Sequence, residues 1–385
     1  MNFLKTVKQS IGLNYKTLFW LYLICVLVQT IPKVLAHSFN NYLIFSDSFL
    51  LLKNHDNPYL FHADLYDDLF RYSPTFAVLV APFATMPLYL GIIAWNYLNS
   101  LSLFFSIKYL FKNDERKGAL VLLTILLEVL TVVANTQINS LVTAIMVFSY
   151  ACFIYKKEAW AAVLCMLNLF IKIYGFAAAA LFFFSKKKFK FVSASALSFI
   201  GFMVIPLIYI SIPELTNLYK TEFSSIDAYS VNLSFMGILR CWFGFEFNDR
   251  IIQVMALVVV CLPIIPGMFK SEEQKRRLQE LLICSILTFL CAFNQMAESP
   301  TYVIAVTGAA IWYFTSPPSK LNKLLFILLV VFCVFASSDL YPRSIRIEFF
   351  EPYKIKAFPI VLIWIKIQWD TWKLNIEKVK LETSL

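Results

Sequence analysis

The sequence predicts an all-α integral membrane protein, a single domain over residues 1–385 with about 12 transmembrane helices and extracytoplasmic loops. Three observations carry that class. Apolar residues make up 59% of the chain and charged residues only 15%, against about a quarter charged in soluble domains. The apolar residues fall into segments near the roughly 20 residues that cross a hydrocarbon core as a helix. The basic residues fall into short clusters between those segments, which is how cytoplasmic connections are marked.

Those clusters are Lys5, Lys8 and Lys16; Lys108, Lys112, Arg116 and Lys117; Lys156 and Lys157; Lys186, Lys187, Lys188 and Lys190; Lys270, Lys275, Arg276 and Arg277; Lys320 and Lys323; and Lys366, Lys373, Lys378 and Lys380. They account for the net charge of +10 as topology signals and contacts with membrane lipids, so nucleic acid is not a partner. With every cluster inside, both termini are cytoplasmic and the chain is a multi-pass protein of the plasma (inner) membrane. Seven of the eight cysteines lie in apolar segments and only Cys241 in an outer loop, which excludes a disulfide framework.

Threading follows from the charges. Helix 17–36 is long enough to span and lacks a small-residue cleavage site, so it is retained and leads out to a first outer loop, 37–73. Segment 74–110 returns the chain, broken by Pro82 and Pro87 into a short piece and a longer span. Helix 119–134 goes out, Asn135–Asn139 turns, and helix 140–155 comes back. Segment 158–184 has inside-type charge at both ends but only 27 residues. It is expected to form a hairpin of short or broken helices around Ile171–Gly175, and such backbone at membrane depth needs protein or water to cover it. Helix 190–212 leads to a second outer loop, 213–250. Helices 251–269, 279–297, 300–316, 321–338 and 355–369 follow, with a third outer loop at 339–353.

Chemistry concentrates in the first loop, which holds all three histidines (His37, His55, His62) and the aspartates Asp47, Asp56, Asp64, Asp67 and Asp68. Residues 42–52 are amphipathic enough to lie as an interfacial helix, with Asn41 and Asp47 near headgroup level. A carboxylate there can act as a general base toward a sugar hydroxyl; taken singly, each aspartate also reads as part of a solvated acidic loop. His55, Asp56, His62 and Asp64 have the chemistry of metal ligands but no recognised spacing, so no metal site is assigned. Ionisable groups within spans are the second lead. Lys172 lies in the broken hairpin, where it either snorkels or neutralises a lipid phosphate. Glu128 lies within helix 119–134, where a structural hydrogen bond between helices is the plainer role. Glu298 sits at an outer helix break, Asn294-Gln-Met-Ala-Glu-Ser-Pro300, where it can face the first loop.

At Arg71-Tyr-Ser-Pro-Thr-Phe-Ala77, Ala81-Pro82 and Trp95-Asn-Tyr-Leu-Asn99 the chain resembles glycosyltransferase family 87. The Asn135-Thr-Gln-Ile-Asn139 turn and Ile171-Lys-Ile-Tyr174 continue the likeness in order, over roughly 37–320. The resemblance implies a GT-C type bundle with an extracytoplasmic site. It implies as partners a polyprenyl-phosphate-linked sugar donor and a glycan or lipid acceptor, with no cofactor. Family members carry an aspartate as base where this chain has Asn41. The base is then Asp47, Asp56 or Glu298, or catalysis is altered or lost, and Asn41→Asp is the change expected to preserve or raise activity. Under this reading Asn41, Tyr59, Arg71, Tyr72, Asn135, Gln137, Asn139 and Lys172 bind substrate, Lys172 and Arg71 at the phosphate and Tyr59 and Tyr72 at the sugar. A lipid-sugar flippase or secondary transporter and a catalytically inactive relative are the alternatives. An internal repeat would favour the transporter.

Overall fold

A computed structural model describes residues 13–224, 232–337 and 341–376. Lys5, Lys8, Lys378 and Lys380, part of the second loop and the start of the third lie outside them. All regular secondary structure among the described residues is helical, with no strand among them. The order begins with α1 (Tyr15–Leu35), α2 (Asn40–Lys53), α3 (Pro74–Leu79), α4 (Ala81–Ala84), α5 (Leu88–Leu110), α6 (Glu115–Ala134), α7 (Asn139–Ile154) and α8 (Glu158–Ile171). A 3₁₀-helix (Ile173–Phe184) precedes α9 (Lys188–Val204), α10 (Ile212–Ser224), α11 (Phe235–Phe243) and α12 (Asp249–Cys261). Then come α13 (Ile264–Gly267), α14 (Glu272–Ala292), α15 (Tyr302–Thr315), α16 (Lys320–Leu329), α17 (Arg343–Ile345) and α18 (Ala357–Ile376).

Local chemistry sets the main boundaries. Asn14 caps α1 by accepting from the Thr17 N–H, Asp114 caps α6 by accepting from Lys117, and Ser271 caps α14 by accepting from Gln274; each satisfies an amide the first turn leaves unpaired. The stretch 74–110 is interrupted around Pro82 and Pro87 as expected: Ser73 caps α3, Pro82 occupies the first turn of α4, and α5 starts directly after Pro87. Proline has no N–H to give to a preceding turn.

Among the described residues five helices are long and apolar enough to cross a membrane: Tyr15–Leu35, Leu88–Leu110, Glu115–Ala134, Lys188–Ile208 and Asp249–Gly267. Length and composition thus mark five spans, and a count near 12 requires the shorter and interrupted helices to cross as well. The surface is inside-out relative to a soluble protein. Only 11% of the apolar 18-residue stretch within Lys188–Ile208 is buried, and Trp20, Ile24 and Val28 on α1 and Leu197 and Ile200 on α9 are exposed. Apolar surface on that scale has to be covered by a partner or by lipid.

Two poles follow from the long-range contacts. At one, Glu115 Oε1 accepts from the Tyr15 N–H, Lys112 lies 3.6 Å over the Tyr155 ring, Lys186 pairs with Glu272, and Arg277 reaches the Thr315 carbonyl. At the other, Asn41 meets Asn135, His55 meets Glu214, Asn232 meets Gln295, and Trp242 meets Tyr353. Basic connections therefore gather at one end and the described parts of the three polar loops at the other.

The first loop departs from expectation. Its helix is α2, longer than the 42–52 segment, and it does not present a polar face to water. Tyr42, Ile44, Phe45, Ser46, Ser48, Phe49, Leu51 and Leu52 are all buried. The cause is aromatic packing on several sides, with Phe45 against Tyr72 and Trp95 and Phe49 against Tyr209. The second loop contains α10 and α11 rather than irregular chain.

The 158–184 hairpin solves its length problem by changing helix type. The 14 residues of α8 rise about 21 Å at 1.5 Å each. The 12 residues of the 3₁₀-helix cover about 24 Å at 2.0 Å each, so the two legs match. A 3₁₀-helix aligns every third side chain, and the buried set is Gly175, Ala178, Leu181 and Phe184. The turn is pinned by Asn168, whose Nδ2 donates to the Val142 and Gly175 carbonyls at 3.1 and 3.3 Å. A Cβ on Gly175 would lie 2.4 Å from Asn168 Cγ. Gly175→Ala is therefore expected to lower stability by roughly 1–3 kcal/mol through overpacking, read as a drop in Tm of the detergent-solubilised protein.

Candidate active site

The Asn135–Asn139 turn between α6 and α7 is the hub of the loop pole. Thr136, its second residue, is buried and adopts φ +49°, a left-handed conformation that costs a β-branched residue about 1–3 kcal/mol. Three contacts hold it there. Its Oγ1 accepts from the Tyr42 N–H at 3.2 Å, its carbonyl accepts from Trp95 Nε1 at 3.0 Å, and its N–H donates to the Val133 carbonyl. Helices α2, α5 and α6 thus converge on one strained residue.

From this turn an ordered chain of side chains runs to both charged candidates. Lys172, the residue that ends α8, donates to Asn139 Oδ1 at 3.0 Å, and Tyr174 donates to the same oxygen at 3.2 Å. Asn139 Nδ2 donates to Gln137 Oε1 at 2.7 Å, and Gln137 Nε2 donates to Glu298 Oε1. The charged ends fix both amides: an ammonium only donates and a carboxylate only accepts, so neither amide can flip without losing its partners. The Lys172 ammonium also lies 5.5 Å from the ring centres of Tyr72 and Tyr174. It has no carboxylate in ion-pair contact among the described residues. The Glu298 charge nonetheless acts on Lys172, Tyr72 and Tyr174. The Lys172 ammonium is thus half-buried and faces two aromatic rings and one amide oxygen.

Glu298 is set by its own turn. Its N–H donates to Thr301 Oγ1 at 3.4 Å. On the preceding residues, the Gln295 and Ala297 carbonyls accept from the N–H groups of Asn232 and Leu233. The second loop therefore clamps the turn through its backbone, in addition to the Gln137 contact.

The other sequence candidates divide. Tyr72 belongs to the network, and Tyr59 supports it by donating to the Tyr72 carbonyl at 2.8 Å. Asn135 enters through its carbonyl, which accepts from Asn41 Nδ2 at 2.9 Å. Arg71 is exposed and pairs with Asp68 at 3.4 Å, not with the Lys172 group. Asp56 is exposed beside His55 and Glu214, lining a separate small cavity of about 80 Å³. Asp47 is half-buried; burial raises its carboxyl, partly offset by a hydrogen bond with Ser46, and its charge acts on Tyr42 and Tyr66. His55 and His62 do not share a site: His55 Nδ1 meets Glu214 at 2.9 Å while His62 Nε2 donates to the Asn57 carbonyl at 3.0 Å. No group of three or more metal-ligating side chains occurs among the described residues.

The Asn41 contact changes one expectation. Its amide donates to the carbonyl of the hub turn, which a carboxylate cannot do. Asn41→Asp would set two acceptors against each other, so it is expected to lower activity and loosen the turn by roughly 0.5–1.5 kcal/mol, seen as parallel losses in turnover and Tm.

Sequence reasoning passed over Glu222, Lys356 and Tyr174. Burial pushes the Glu222 carboxyl on α10 up to about 7, and its charge acts on Tyr59. Tyr174 was legible only as part of a motif, and Lys356 only as one base among many.

No curated protein matches the chain. The sequence profile of glycosyltransferase family 87 does, over residues 70–292. The match takes in Tyr72, the Asn135–Asn139 turn and Lys172, and stops just short of Glu298. It spans 223 residues (292 − 70 + 1) of 385, more than half, and the chain belongs to glycosyltransferase family 87.

Proposed function

We propose that this membrane glycosyltransferase is a single polytopic GT-C type domain of about 12 crossings. It moves a hexose or pentose, with mannose the first choice, from a polyprenyl-phosphate donor to a glycan or lipid acceptor on the extracytoplasmic face of the plasma membrane. The observation that carries the donor class is the double placement of Tyr174. Its hydroxyl shares Asn139 with Lys172, and its ring lines a groove of about 440 Å³ walled by Val254, Leu257, Phe289, Leu290 and Phe293. Arg250 and Gln253 line the same groove. The groove lies against α12, whose Val254, Met255 and Val258 are exposed. An apolar slot beside exposed apolar helix surface, linked to Lys172 through Tyr174 and Asn139, fits an isoprenoid chain joined to a phosphate.

In this reading the acceptor hydroxyl attacks the anomeric carbon and gives its proton to Glu298. The bond from that carbon to the phosphate oxygen breaks, and polyprenyl phosphate leaves with its charge met by Lys172. Base and leaving group stand at opposite ends of the amide chain, which suits attack from the face opposite the phosphate and inversion at the anomeric carbon. Tyr72 and Tyr59 flank the sugar. Purified protein given polyprenyl-phosphate mannose and other polyprenyl-phosphate sugars is expected to release polyprenyl phosphate from at least one. Failure with all of them, alongside movement of a lipid-linked sugar across vesicles, would replace this reading with a flippase.

The loop pole is expected to face out. In a background lacking the exposed Cys241 and Cys261, an impermeant thiol reagent should label Asp56→Cys and spare Lys187→Cys in intact cells, following the segregation of basic residues. Labelling of Lys187→Cys reverses the orientation.

A further inference from the structure

Lys356 is 5% exposed and Glu128 fully buried, and the two pair at 2.9 Å. An ion pair this deep tends to be a drain on stability rather than a source of it, so its other contacts deserve explanation. The Lys356 ammonium also donates to Ser299 Oγ at 2.9 Å and to the Ser299 carbonyl at 3.4 Å, and lies 5.1 Å over the Tyr302 ring. Ser299 is the residue after Glu298. Glu128 sits within α6, whose end is the hub turn carrying Gln137, the partner of Glu298. Lys356 itself immediately precedes α18, and the chain reaches it through a left-handed residue, Lys354 at φ +52°. The Glu298 turn is therefore gripped through Gln137, through Asn232 and Leu233, and through Lys356.

We infer that Lys356 is a positioning residue for Glu298, with Glu128 as its countercharge. It holds Ser299 so that the Glu298 carboxylate meets Gln137 and faces the Lys172 group, and it couples the third loop to the reacting centre. A pair that merely joins helices would not need both acceptors of Ser299. The inference rests on the proposed role of Glu298 as base.

The test uses full-length protein and five variants. Ser299→Ala keeps the ion pair and removes one link to the Glu298 turn. The double variant Glu128→Met/Lys356→Met replaces the pair with side chains of similar length, which buried pairs often tolerate. Both are expected to keep Tm near wild type and the donor KM within a few-fold. The double variant should lower kcat by roughly 10- to 100-fold, the scale of a misplaced catalytic group, and Ser299→Ala by less. In a Glu298→Gln background neither should lower kcat further, because the group they position is gone. A folded double variant with wild-type kcat, or losses that persist in full on Glu298→Gln, would overturn the inference. Should the double variant not fold, Ser299→Ala decides: wild-type kcat there overturns it as well. Wild-type turnover by Glu298→Gln alone would instead remove the base assignment and with it the premise.

Discussion

Glu298→Gln is expected to cut the chemical step by about 10²–10⁴-fold, the range for loss of a general base, with the donor KM little changed. The amide oxygen can still accept from Gln137 Nε2, so the turn keeps its contact and only proton acceptance is lost. Of the three carboxylates considered as base, Glu298 is the one joined to Lys172 by a continuous set of hydrogen bonds. Asp56 lines a separate small cavity beside His55, and Asp47 acts on Tyr42 and Tyr66. Asp47→Asn and Asp56→Asn should accordingly stay within a few-fold of wild type. Single-turnover rates with saturating donor separate the outcomes, and a large loss in Asp47→Asn with a mild one in Glu298→Gln would move the base to the first loop.

Lys172→Met is expected to cost about 10²–10³ in kcat, the scale on which removal of one preorganised partner of a developing negative charge is felt. Its fold should survive. The ammonium gives up a hydrogen bond to Asn139 and two aromatic faces but leaves no carboxylate stranded. Breaking a true buried ion pair would instead cost about 3–5 kcal/mol. Thermal unfolding alongside the rate therefore separates the two roles. A stable Lys172→Met protein with wild-type turnover would end the phosphate assignment, and an unstable one would make the lysine structural.

Much of the architecture was legible because bilayer physics writes it in plain composition. The break at Pro82 and Pro87 and the short hairpin at Ile171–Gly175 follow from length, charge and proline alone. The gathering of Gln137, Asn139, Lys172 and Tyr72 was legible only as motifs with spacing, not as contacts, since none is a neighbour of all the others in sequence. Two things were hidden. Asn41 reads in sequence as a carboxylate lost, and only the Asn135 carbonyl explains why an amide suits the position. Lys356 lies in a chain with 34 basic residues; its partner Glu128 is 228 positions away, and no periodicity connects them. The burial of α2 was missed for a similar reason: its covering rings, Tyr72, Trp95 and Tyr209, come from three separate segments.

The return leg behind Lys172 has one more implication. It contains four consecutive alanines, Ala177–Ala180, the residue with the strongest α-helical preference, yet it is wound as a 3₁₀-helix. Local preference and observed winding disagree, and the packing of every third residue decides between them. Rewinding the same 12 residues as an α-helix would shorten the leg by about 6 Å and draw Lys172 away from Asn139 toward the basic pole. The reach of the lysine to Asn139 thus depends on this leg keeping its 3₁₀ winding, and the apolar stripe of Gly175, Ala178, Leu181 and Phe184 is what holds it at that length.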